Sequence, residues 1–180
     1  IDLIKARLEI VELDGPIDYR TQFISRSRLY HTPLGKTADG ELERIFRHLS
    51  DNIPPEPESF TVQGRTLTIA RTARGVAMVS FEELCAEALG AQDYIALQEA
   101  FHTIILSGIP RMGPESRNEA KRFVTLIDVL YEHRVNLICS AEAAPEFLYA
   151  EGHGAFEFAR TVSRLSEMQS PEYIGQTHRL

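Results

Sequence analysis

Residues 102–138 read HTIILSGIPRMGPESRNEAKRFVTLIDVLYEHRVNLI, and the fold class follows from the three parts of this stretch. The apolar, β-branched run 102–106 predicts a buried strand, and Gly108, Pro110, Gly113 and Pro114 then break the chain into a loop. Residues 115–134 carry Phe123, Leu126, Ile127 and Leu130 at helical spacing, one apolar stripe along a long amphipathic helix. A second apolar run, 135–138, closes the unit. Strand, helix and strand joined by one crossover of this length make a βαβ unit, and its two strands are parallel because only a long connection returns the chain to the same end.

Working outward, the segments on either side are less uniform. Toward the N-terminus, 76–79 predicts a strand, and Ser80 with Glu83 forms a capping box for a helix over 81–89. Phe60-Thr-Val62 and Leu67-Thr-Ile69 flank Gln63-Gly64-Arg65, a hairpin signature. Pro54, Pro55 and Pro57 make 51–58 a linker or exposed loop. Leu42, Ile45, Phe46 and Leu49 predict a helix over 39–49, whereas 17–30 mixes aromatic and basic residues with weak periodicity. Leu-Glu-Ile-Val-Glu-Leu at 8–13 suits a short buried strand ended by Asp14-Gly15-Pro16, and 1–8 reads as the tail of a helix. Toward the C-terminus, a turn at 144–146 precedes a last helix over about 154–168, with Pro171 beyond its end. The class is α/β, with a β-hairpin insert beside the βαβ unit.

The composition removes several functions. With 43% hydrophobic and 25% charged residues the chain is ordinary globular material, and 180 residues bury a core without disulfide or metal. A net charge of −7 disfavours a nucleic-acid surface. No apolar run is long enough for a membrane span. Cys85 and Cys139 lie far apart with no metal-ligand spacing, so they read as reduced thiols of a cytoplasm-like compartment. Ile1 stands where a Met would, no capping residue precedes the first helical turn, and no signal-peptide pattern is visible. The expectation is the C-terminal piece of a longer protein.

Several clusters invite a chemical reading. Gly35-Lys36-Thr37 ends like a P-loop, but Tyr30 stands where that motif needs its first Gly, and 29–33 does not read as the buried strand that must lead into it. Asp128 and Glu132 form an acidic pair one helical turn apart, a spacing commoner on solvated faces than in metal sites. The six histidines never fall at ligand spacing, and no metal site is expected. Ser140 follows a strand but lacks both glycines of a nucleophile elbow. Arg160 and Arg164, one turn apart on the last helix, suit phosphate because guanidinium forks are planar, permanently charged and multidentate; the competing reading is a ladder of surface ion pairs.

Longer motifs carry a resemblance. The stretches 117–131 (RNEAKRFVTLIDVLY), 140–149 (SAEAAPEFLY) and 154–170 (GAFEFARTVSRLSEMQS) resemble the ZapE/Afg-type AAA+ P-loop ATPases. So do 11–20 (VELDGPIDYR), 30–34 (YHTPL) and 89–94 (LGAQDY), in the same order. The resemblance implies a parent that binds and hydrolyses ATP with Mg²⁺, acts in cell division with the FtsZ ring in its bacterial members, and forms a homo-oligomer. It implies cytoplasm, or mitochondria for a eukaryotic member. Walker A, Walker B, sensor one and the arginine finger would all precede Ile1, so no catalytic residue and no cofactor bound by the chain alone is expected. No acid stands at the end of the 102–106 strand to hold Mg²⁺ as Walker B would. Residues 1–50 would be the end of the nucleotide-binding core with a connecting helix, 51–58 the linker, and 59–180 the C-terminal α/β region. A sensor-two role falls on Arg164 first and Arg160 second, with Arg20 of the Asp18-Tyr19-Arg20 triplet as a third nucleotide contact. The alternative is a protein–protein interaction module with no nucleotide site of its own.

Overall fold

The computed structural model describes residues 19–176, so the strand read at 8–13 and the helix tail at 1–8 lie outside the described residues. Among the described residues six strands form one sheet: β1 (Tyr30–His31), β2 (Glu56–Val62), β3 (Arg65–Ala73), β4 (Val76–Ser80), β5 (Thr103–Ile109) and β6 (Asn136–Ala141), in the order β1-β6-β5-β4-β3-β2. The pairs β1·β6, β6·β5 and β5·β4 are parallel, whereas β4·β3 and β3·β2 are antiparallel. The βαβ unit is present: helix α4 (Arg117–Glu132) joins β5 to β6, with Ile104 opposite Leu137 and Ile105 opposite Ile138. The hairpin turns at Gln63 and Gly64, both at positive φ, the two-residue turn whose twist suits a hairpin.

Both faces of the sheet are covered, which is why its central strands are apolar without alternation. On one face, Ile104, Leu106, Leu137 and Cys139 pack under α3 (Ala91–Ala100), α4 and α5 (Ala155–Glu167), with Leu97, Phe123, Leu126 and Phe158 as the covering side chains. On the other, Ile105, Ile138 and Val76 pack under α1 (Tyr19–Arg26) and α2 (Lys36–Leu49), through Ile24, Leu42, Ile45 and Phe46. A short last helix, α6 (Pro171–Ile174), contributes Tyr173 to the first core and Ile174 to the second. The Tyr173 hydroxyl donates toward the Leu130 and Val135 carbonyls, tying α6 to the end of α4.

Three local expectations need correction, and one helix carries no signal in the sequence. The capping box at Ser80 forms, with Glu83 N–H to Ser80 Oγ at 3.2 Å and Ser80 N–H to Glu83 Oε2 at 2.7 Å. The helix it opens is only a π turn, Glu82–Ala86, because its carbonyls are taken elsewhere: Tyr94 Oη donates to Leu84 O at 2.7 Å and Arg122 to Cys85 O at 2.9 Å. Helix α3 has no amphipathic signature because it buries Asp93 and Gln98 beside Tyr94 and Leu97. Of the proline-rich stretch 51–58, the residues from Glu56 onward belong to β2. Pro57 is tolerated there because β2 is an edge strand and the register slips between Glu56 and Glu58. Finally, Tyr30–His31 is a buried parallel strand, so Gly35-Lys36-Thr37 does connect a strand to a helix; two residues of strand are too short for any periodicity to show.

This last correction places the site. Strand β1 leads to α2 on one face, while its neighbour β6 leads toward α5 on the other. Adjacent parallel strands whose connections depart to opposite faces leave a crevice at their carboxyl ends, where α/β sheets bind ligands.

Candidate functional site

Arg160 and Arg164 do project from one face of α5, and the acidic pair of α4 meets them there. Asp128 accepts from both guanidinium groups, one on each carboxylate oxygen, and Glu132 Oε1 lies 3.5 Å from Arg164 Nη2. Arg164 also lies over the Tyr131 ring, 4.8 Å from its centroid. The Tyr131 hydroxyl donates to Glu167 Oε2 at 2.8 Å, and that carboxylate pushes the phenol pKa up. The two clusters weighed separately in the sequence are therefore one rack of charges joining α4 to α5. Arg164 is the inner member, with 17% of its side chain exposed against 62% for Arg160. The signal was present as two pairs of opposite sign at the same spacing, but nothing local says that their helices pack together.

Arg20 sits apart from them. It belongs to α1, on the other face of the sheet, where its guanidinium lies 3.4 Å from Asp51; Arg74 shares that carboxylate at 2.7 Å. The structure thus brings Arg160 and Arg164 together and leaves Arg20 on the opposite side.

The crevice at the end of β1 holds a different set. A cavity of about 320 Å³ is lined by Arg28, His31, Lys36 and Thr37, among others. Gly35 begins α2 at φ 145°, a conformation that disfavours side chains, and no side chain caps this helix. The N–H groups of the first turn therefore face outward without an intrahelical acceptor. His31 is only 8% exposed, and its Nε2 has no hydrogen-bond partner among the described residues. Burial lowers the imidazole pKa, with the Arg28 backbone carbonyl and Glu41 opposing and the charges of Arg28 and Arg44 assisting. His31 is thus a neutral donor or acceptor at physiological pH.

Other chemistry is not supported by geometry. Among the described residues no group of three or more His, Cys, Asp or Glu side chains could hold a metal ion. Both cysteines are free and buried, and burial pushes each thiol up to about 12, too high for a thiolate nucleophile at neutral pH. Ser140 donates no nucleophile geometry either: its Oγ accepts the Gly108 N–H at 3.0 Å and is fully buried. No described helix is long and apolar enough to cross a membrane.

A mostly parallel sheet with helices on both faces and a crevice at its carboxyl edge defines an α/β domain of the type seen in P-loop ATPases. The AFG1-like ATPase family model matches residues 1–177, and the chain belongs to that family. It is 33% identical over 178 residues to the cell division protein ZapE of Escherichia coli K12, covering 99% of this chain and 48% of that protein. Lactation elevated protein 1 homolog B of Danio rerio is 31% identical over 208 residues, covering 96% of this chain and 41% of its own length. The chain spans about half the length of the curated relatives it matches. No solved structure gives a significant match. The resemblance read from the ordered motifs is confirmed by these matches.

Proposed function

We propose that this chain is the C-terminal region of an ATPase that binds and hydrolyses ATP with Mg²⁺ in the full-length protein and acts in cell division in the cytoplasm. The observation that supports this reading is the family match over nearly the whole chain, together with similarity to a relative named for cell division. The chain holds no Gly-x₄-Gly-Lys-Ser/Thr sequence, so the phosphate-cradling loop and its Mg²⁺ ligands would come from the other half of the protein. Assembly into a homo-oligomer and contact with the FtsZ ring belong to the same proposal.

Within it, Arg164 is the first nucleotide contact, then Arg160 and Arg20. In the arrangement described here Arg160 and Arg164 are neutralised by Asp128, so a nucleotide phosphate would have to take the place of that carboxylate. Two variants of the full-length protein separate a phosphate role from a packing role. Arg164→Ala is expected to lower ATP turnover by about tenfold or more, the loss of one charge-assisted contact in the transition state. Asp128→Asn breaks the same ion pair but leaves both arginines, so it should retain turnover. Equal loss in both variants would make the arginine structural and remove it from the site.

A second reading, a protein-binding module without its own nucleotide site, is favoured by the same ion pairing and by Phe156, which is 90% exposed on α5. Phe156→Ser should then weaken co-sedimentation with FtsZ polymers while leaving ATP turnover intact.

A further inference from the structure

We propose that the chain carries an oxyanion site at the carboxyl end of β1, where His31, Lys36 and the N-terminus of α2 take a phosphate or a phosphoryl group carried on a nucleotide. Four independent observations converge there. The cavity is large enough for such a group, at about 320 Å³, and it opens at the point where the connections of β1 and β6 part to opposite faces. Helix α2 runs for fourteen residues and begins at Gly35 with no side-chain cap, so its first N–H groups and the positive end of its dipole face the cavity unopposed by a capping oxygen. His31, which lines the same cavity, is more than nine-tenths buried and leaves Nε2 without a partner among the described residues. A buried nitrogen in that state is costly unless a ligand completes it.

The fourth observation is charge. Residues 19–50 hold six Lys and Arg against three Asp and Glu, in a chain whose net charge is −7. Two of the acids are near the site. Asp39 lies in the first turn of α2, and Glu41 faces His31, but Glu41 is already paired with Arg44 at 2.8 Å. Arg28 lines the cavity while its Nε donates to the Tyr30 carbonyl at 2.8 Å, leaving the rest of the fork available. With its other nitrogen donating to the Arg28 carbonyl, the neutral imidazole would accept at Nε2 from the hydroxyl of a monoprotonated phosphate, Lys36 would supply a mobile point charge, and the backbone N–H groups would fix the remaining oxygens. A monoprotonated phosphate or phosphoryl group satisfies all three, whereas a metal ion would meet the positive charge of Lys36 and of the helix N-terminus. The site stands on this chain's own residues and does not depend on the ATPase reading.

The test is a nuclear magnetic resonance titration of the whole protein with isotope-labelled histidine rings, the His31 signal being assigned by its loss in His31→Gln. Sodium phosphate and ADP without Mg²⁺ are added in separate arms, with sodium chloride at equal ionic strength as the reference. Saturable movement of the His31 ring by phosphate is expected, with about tenfold weaker binding in Lys36→Ala and unchanged binding in Lys121→Ala on the other face of the sheet. Saturation by phosphate assigns the site to the free anion; saturation by ADP alone, with the same loss in Lys36→Ala, assigns it to a nucleotide-borne phosphoryl group. Equal movement by chloride, equal weakening by the two lysine variants, or no saturation in either arm overturns the proposal.

Discussion

His31 shows how much one residue's environment decides. Its identity and its place beside Tyr30 are plain in the sequence, yet no periodicity marks a two-residue strand as buried. Folding removes water from the imidazole and lowers its pKa from 6.5, so the unfolded chain takes up a proton at higher pH than the folded one. The stability this group contributes is therefore complete above about pH 6.5 and declines as pH falls through the lowered folded value. Urea midpoints of the native chain and of His31→Gln, measured over the same pH series, should converge as the pH is lowered below that point. Parallel curves would mean that His31 titrates alike in the two states. The arginines teach the same lesson from the other side. Their spacing on α5 was legible, and so was that of Asp128 and Glu132 on α4, but the ion pairs join residues more than thirty positions apart.

At the scale of elements, the capping box, the hairpin turn and the long helix α4 were all readable because each depends on neighbours within a few residues. Helix α3 was not, because its determinants are tertiary. Asp93 is 1% exposed; it accepts the Gly90 N–H at 2.8 Å, and Arg65 of β3 reaches the same oxygen at 2.5 Å. One carboxylate thus starts α3 and fastens it to the hairpin. Asp93→Ala removes the helix-start bond and strands Arg65. A loss of about 2 kcal/mol is expected, less than for a fully buried pair because Arg65 is half exposed. Denaturant unfolding measures it directly, and Arg65→Ala should cost less than Asp93→Ala, since it leaves the helix start intact. An equal cost would show that the ion pair rather than the helix start holds α3.

The described residues form one sheet with two cores, and their chemistry divides between them. The charge rack of α4 and α5 lies over one face, while α1, α2 and Arg20 lie over the other. Under the proposed function the engine of hydrolysis is in the remainder of the protein. Any binding of a fluorescent ATP analogue with Mg²⁺ by the 180-residue chain alone, at micromolar concentration, should then be insensitive to Arg160→Ala and Arg164→Ala. Saturation at that concentration, weakened by Arg160→Ala or Arg164→Ala, would place a nucleotide site within this chain and move the boundary of the engine.

What the sequence determined by itself was the class of the fold and the family. Apolar spacing, turn residues and ordered motifs are short-range properties, and the parallel pair β5·β6 follows from the length of the crossover that α4 makes. Tertiary structure alone decided the position of β1 beside β6, the departure of its loop to the face opposite that of β6, and the choice of Asp128 as the partner of two arginines. The physical reason is the same in each case. Backbone pattern is set by neighbours along the chain, whereas burial and charge pairing are set by whichever distant residues the packed sheet and helices bring within a few ångströms.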